Sequence, residues 1–185
     1  MGHGGDVIAE LTSDHREVEE MFGQIKATPE GDPQRKSLLD QLTIELVRHS
    51  VAEEQYLYPA VREHVQNGGV LADRELADHA RIEEILKGLE QLEPGEGDFT
   101  RMVNSLEREV TNHVQDEEDN LFVRLRESCS QEMLDELGDK IRAAKKTAPT
   151  RPHPAAPSAP PANKLLAPGA GLVDRARDFV TGRGK

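Results

Sequence analysis

Residues 49–59 read HSVAEEQYLYP and residues 113–123 read HVQDEEDNLFV. The two stretches lie 64 residues apart and share a histidine, two consecutive glutamates and a leucine in register, with Tyr58 opposite Phe122. The same offset carries Asp14-His15 onto Asp78-His79, and the VEEM of the first copy onto IEEI in the second. In each half a lone histidine precedes the paired one by 34 residues. Self-similarity at a fixed offset marks a repeated structural unit. Here the unit is a helical hairpin with His on its first helix and His-x-x-x-Glu on its second.

At about 100° per residue, His49 and Glu53 lie within about 40° of each other on one helical face, as do His113 and Glu117. On the second helix that face also carries Leu42, Ile44, Leu46 and Leu57 or their neighbours, so it points inward. Working outward, apolar residues keep helical spacing through the first 146 residues. The sequence predicts helices over 6–27 with Asp6 as N-cap, over 33–64, over 73–92 and over 98–127. Ser130 caps a fifth, ending near Lys146, while Pro29, Pro33, Asn67-Gly68-Gly69 and Pro94-Gly95 supply the breaks. The fold class is all-α, an up-down-up-down four-helix bundle over residues 1–146 with a short extra C-terminal helix.

Composition narrows the function. The 185 residues hold 35 acidic and 23 basic side chains, a net charge of −12. Phosphate neutralisation needs clustered Lys and Arg, so nucleic acid is not an expected partner. No stretch approaches the ~18 apolar residues of a membrane span. The N-terminal MGHGGDVIAE lacks the basic and apolar regions of a signal peptide, and the Ser or Thr that myristoylation after Gly2 would want. The lone Cys129 rules out an intramolecular disulfide and a cysteine-based zinc or iron–sulfur site. A cytoplasmic, reducing location is the expectation. With aromatics at 3% and no Trp, the core rests on Leu, Ile, Val and Ala.

Near residue 147 the composition shifts. Residues 147–171 hold seven of the eleven prolines and seven alanines, which predicts a flexible or extended linker. Residues 172–185 predict a basic tail with one or two amphipathic turns, Leu172, Val173, Ala176, Phe179 and Val180 sharing one side. From residue 145 on there are eight basic and two acidic groups; the first 144 residues hold 15 basic and 33 acidic. The sequence names no partner for this tail.

Two inward His-x-x-x-Glu pairs and two further inward histidines converge in the bundle centre. Burying four imidazoles and two carboxylates without compensation would cost several kcal/mol per group. A metal supplies that compensation, and imidazole with carboxylate in a bundle suits a non-haem di-iron or di-manganese centre. His3, His64 and His153 stand outside the pattern and read as ordinary histidines.

The order H, H-x-x-x-E, H, H-x-x-x-E over roughly residues 6–128 resembles the hemerythrin-like family, the HHE cation-binding domains. The resemblance implies a four-helix bundle holding two oxo- or hydroxo-bridged irons. It implies His15, His49, His79 and His113 as terminal ligands, with Glu53 and Glu117 bridging. Oxygen-carrying hemerythrins have a further His four residues after the third-helix His, where this sequence has Glu83, matched by Glu19 in the first copy. Two octahedral irons offer about twelve positions; the ligands named, with a bridging oxygen, leave a protein ligand missing and a position open. Tyr56, seven residues after His49 and so about −20° around a regular helix, is the preferred seventh ligand, ahead of Glu83, Glu54 and water. Tyr58 is expected to face the opposite way and to pack. Glu19 and Glu83 are candidates to accept the second ring N–H of ligand histidines, and Phe22 and Leu86 to line the apolar end of the site.

An oxygen donor in place of imidazole favours ferric iron and works against reversible oxygen carriage. The expected role is therefore binding or redox chemistry on nitric oxide, hydrogen peroxide or dioxygen in oxidative or nitrosative stress defence, with possible peroxidase-, catalase-like or nitric-oxide-consuming activity. The alternative is an iron- or oxygen-sensing module without turnover. Ferritin-type ferroxidase work fits less well, because that family spaces Glu and His by three.

Overall fold

The computed structural model describes residues 4–184, and these are all-helical, with no strand among the described residues. Helix α1 (Val7–Ala27) starts where the Asp6 carboxylate accepts the Ala9 N–H and stops where the Thr28 N–H returns to Gln24 O. Helix α2 (Gln34–Ala52) runs into a five-residue π-helical turn, Glu53–Leu57, and then α3 (Tyr58–His64). Helix α4 (Gly68–Leu89) is followed by α5 (Gly97–Asp116), a second π-helical turn at Glu117–Leu121, and α6 (Phe122–Ser128). Ser130 caps α7 (Gln131–Thr147) by accepting the Met133 N–H. The last helix is α8 (Ala162–Thr181).

Most of these ends fall where the sequence predicts them. Helix α4 is the exception, opening at Gly68 instead of residue 73. Asn67 adopts left-handed φ 59°, and a Cβ on Gly68 would lie 1.9 Å from Val61 O. Glycine thus lets the chain restart a helix against the end of α3, so the Asn-Gly-Gly signal serves one helix as a stop and the next as a start.

Helix α1 packs on α2, α4 on α5 and on α3, and α7 on both α1 and α2. Two apolar clusters fill the interior. One gathers Val7, Leu11, Leu57, Val61, Leu121 and Leu125 with others; the second includes Val18, Phe22, Leu42, Leu86, Phe99 and Leu106. Along α1, α2 and α4 the residues between the two clusters include His15, His49 and His79; on α5, His113 lies between Val110 and Val114 of the second cluster, and Glu117 follows before Leu121 of the first. The four histidines thus mark a buried polar layer where the two apolar clusters meet.

The region after residue 147 departs from the expected linker and short tail. Helix α8 begins at Ala162 and carries Pro168 inside it. Its inward face consists of small or polar groups, Asn163, Ala167, Gly171, Asp174 and Asp178. Asp174 Oδ2 accepts the Thr150 and Arg151 N–H groups, each at 3.2 Å, and lies 2.9 Å from His153 Nε2. The Thr150 hydroxyl donates to Asp178 at 2.6 Å, and Arg183 pairs with Asp40 at 3.0 Å. A Cβ on Gly171 would sit 2.3 Å from Thr147 O, so α8 lies backbone to backbone on the end of α7. Polar anchors hold the proline-rich segment down, and composition alone does not reveal them. His3 and the terminal Lys185 lie outside the described residues.

Candidate metal centre

Four histidines project into the polar layer, each 2–5% exposed, together with Glu53 and Glu117, both fully buried. Their Nε2 atoms point at one another and at the two carboxylates. Glu53 spans the two halves, with Oε1 3.1 Å from His49 Nε2 and Oε2 3.3 Å from His79 Nε2. Glu117 does the same, its Oε2 lying 3.4 Å from His15 Nε2 and 3.6 Å from His113 Nε2. His79 Nε2 and His113 Nε2 are 3.2 Å apart. His15, His49, Glu53 and Glu117 form one group of converging ligand atoms, and Glu53, His79 and His113 form another.

The outer nitrogens are all engaged. His15 Nδ1 lies 2.8 Å from Glu118, His49 Nδ1 3.1 Å from Asp14, His79 Nδ1 3.1 Å from Glu54 and His113 Nδ1 2.9 Å from Glu75. A carboxylate on Nδ1 sets the tautomer that leaves Nε2 free to bind metal. Glu54 and Glu118 are repeat-related and cross between halves, each serving the lone histidine of the other hairpin. Behind Asp14 stands Lys145 of α7, with Nζ 2.5 Å from Asp14 Oδ1 and 3.4 Å from Glu10 Oε1.

A metal fits this donor set on structural grounds. His15 Nε2, His49 Nε2, Glu53 Oε1 and Glu117 Oε2 are buried and make no hydrogen bond, although opposing atoms come within 3.6 Å. Their lone pairs converge on a shared centre that protons on these atoms do not satisfy. Burial works against charge on all four rings. At His79 the Glu53 and Glu54 carboxylates overcome it and raise the imidazole to about 10. His113 falls to about 4 through burial, and burial with Asp116 pushes the neighbouring Glu75 up to about 9. Both members of that pair are therefore uncharged at neutral pH.

At the inner position expected of Tyr56 the structure places a different tyrosine. Tyr56 is only partly buried, and its ring lies under Lys164 Nζ at 4.1 Å. Tyr58, 1% exposed, takes the inner position instead. Its hydroxyl lies 3.0 Å from His79 Nε2 and donates to Glu117 Oε1 at 3.1 Å and to Glu53 Oε2 at 3.4 Å. The cause is the π-helical turn, in which the Tyr58 N–H returns to Glu53 O, five residues back. In a regular helix Tyr58 would stand about 140° from Glu53; absorbing one residue reduces this to about 40°. The second half has the same turn, from Phe122 N–H to Glu117 O, and there the ring of Phe122 stacks on His15 at 5.8 Å. One side of the centre therefore meets a phenol and the other a hydrocarbon ring.

The other candidates sit elsewhere. Glu54 is the His79 partner, Glu83 accepts the His153 N–H at 2.6 Å, and Glu19 pairs with Arg16 on the surface. Phe22 and Leu86 belong to the apolar cluster beyond the polar layer. A small cavity beside His15, His49 and His113 is walled by Val18, Leu46 and Ile82. A larger cleft reaches His79 and Glu54 between the bundle and the segment carrying Pro154 and Ala167.

Fold and site together define a helical domain whose buried His/Glu cluster could hold metal. The chain matches the model of the hemerythrin HHE cation binding domain over residues 6–125 and belongs to that family. It is 26% identical over 171 residues to an uncharacterized hemerythrin-like protein of Schizosaccharomyces pombe, covering 92% of this chain and 84% of that one. It is 29% identical over 137 residues to a DNA nickase of Nostoc, covering 73% of this chain but 38% of the nickase. Among solved structures it resembles a hemerythrin HHE cation binding domain-containing protein from Mycobacterium kansasii, with a TM-score of 0.67 and 24% identity over 76% of this chain and 85% of that one. No helix among the described residues is long and apolar enough to cross a membrane.

Proposed function

We propose that the polar layer holds two iron ions and that the protein binds or reacts with small oxidants, nitric oxide, hydrogen peroxide or dioxygen, in stress defence. In this reading the four long helical columns run up-down-up-down. His15 and His49 would hold one ion and His79 and His113 the other, with Glu53 and Glu117 shared. The observation that carries the proposal is the set of buried Nε2 and carboxylate oxygens left without hydrogen bonds. Tyr58 would add an oxygen donor on the His79–His113 side. An anionic oxygen donor favours the higher oxidation state, which supports redox work over reversible carriage. Iron held here would supply one-electron chemistry toward a small ligand. Val18, Leu46 and Ile82 would give the small cavity beside His15 and His49 apolar walls on the ligand's side of the centre.

A second reading, sensing without turnover, has one observation in its favour. The tail touches the π-helical turn that carries Glu53, through Gln55 Nε2 donating to Asn163 O at 3.4 Å and Lys164 over Tyr56. Nucleic acid stays outside the proposal, because the first 144 residues carry 33 acidic against 15 basic groups.

Metal analysis of freshly purified protein, with its ultraviolet–visible spectrum, tests the reading. About two irons per chain and oxo-to-iron bands near the ultraviolet edge are expected. Chelation should lower the melting temperature, since a group bound only by the folded state stabilises it. Turnover of peroxide or consumption of nitric oxide favours the enzyme. Metal-dependent protection of the tail from protease without turnover favours the sensor. Absence of stoichiometric metal, with folding indifferent to chelator, sinks both.

A further inference from the structure

Helix α8 gives its small and polar face to the bundle and exposes its apolar one. Leu165 is 77% exposed, Leu166 56%, Leu172 68%, Val173 58%, Phe179 76% and Val180 83%. These are six of the eight large apolar side chains left exposed among the described residues, a concentrated patch that scattered surface apolarity does not explain. Gly169 and Ala176 are also exposed and complete the stripe. Along the helix it reads large pair, small, large pair, small, large pair. That order is the same in both directions about a point between Leu172 and Val173.

We propose that this stripe is the contact surface for a second copy of the chain, the two α8 helices packing antiparallel across a two-fold axis at that point. A two-fold contact must be self-complementary. This axis sets Leu165 opposite Val180 of the partner subunit, Leu166 opposite the partner's Phe179, and Gly169 opposite the partner's Ala176. Every large side chain meets a large one, and the small pairs let the backbones approach. The seven-residue spacing of 165, 172 and 179, and of 166, 173 and 180, keeps the seam on one side along the helix. Six apolar side chains at roughly 100 Å² each would bury on the order of 1,000 Å² over two copies, the lower limit of a stable specific interface. An anionic lipid surface is the poorer occupant, because the body to which α8 is anchored carries 33 acidic against 15 basic groups in the first 144 residues.

Sedimentation equilibrium of the full chain over about 1–100 μM is expected to show a monomer–dimer equilibrium. Leu172→Glu should raise its dissociation constant by about tenfold or more, with helicity and metal content unchanged, because the side chain is 68% exposed. Leu165→Glu and Val180→Lys should each weaken the dimer, and mixing the two should form a hybrid, since these positions meet only in the antiparallel register. A monomeric wild-type chain at the highest concentration, or a dimer untouched by Leu172→Glu, overturns the proposal. Failure of the mixed pair to associate overturns the antiparallel register. A monomer that sediments with phosphatidylglycerol vesicles reassigns the stripe to a membrane.

Discussion

Tyr58 reaches deepest into the polar layer, where its hydroxyl touches His79, Glu53 and Glu117. Tyr58→Phe is expected to change the visible spectrum of the iron-loaded protein and weaken retention of the second ion, whereas Tyr56→Phe should leave both unchanged. Spectra and metal content of the two variants side by side decide it. Glu54 and Glu118 act one step further out, through the rings of His79 and His15. Glu54→Gln and Glu118→Gln should each cost about 10–100-fold in metal affinity, read by competition with a chelator. At this scale the four histidines and Glu53 and Glu117 were legible, because the repeat separates them from the many other glutamates. The Nδ1 partners left a weaker trace. Glu54 and Glu118 repeat with their neighbours, but Asp14 serves His49 while Glu75, at an unrelated position, serves His113.

Helix ends were readable wherever a side chain closes them. Burial works against the Asp6 carboxylate, yet the Ala9 amide, Gln131 and Arg126 more than offset it and hold its pKa below the usual range. A carboxylate depressed in the folded state stabilises the fold above its unfolded pKa, and the contribution is lost as pH falls through the folded value. Asp6→Ala should therefore cost about 1 kcal/mol at neutral pH, and the difference from wild type should shrink below about pH 4. Urea unfolding at pH 7 and pH 3 measures both. What the residues did not announce is the pair of π-helical turns. Constant pitch places Tyr56 inside and Tyr58 outside, and one extra residue per turn exchanges them. Nothing in HSVAEEQYLYP or HVQDEEDNLFV distinguishes that turn from a regular one, since no Gly interrupts either stretch and Pro59 follows the turn.

Across the whole molecule, the body and the tail differ in how they are held. The body buries apolar clusters above and below a polar layer, and its helical periodicity shows this. The tail is held by Asp174, Asp178 and a backbone contact at Gly171, which have no periodicity to read. Gly171→Ala would bring a methyl against Thr147 O and should detach α8. Faster proteolytic cleavage within residues 148–161, with unchanged iron content, is the expected result.

Since Glu118 steadies His15 and Glu54 steadies His79, each hairpin holds an acceptor that only the other can use. Severing the chain between α3 and α4 should yield fragments that are each colourless with iron and that recover the spectrum on mixing. Loaded with iron, the site would then serve as an optical reporter of fragment complementation, registering reunion of the two halves rather than the folding of either.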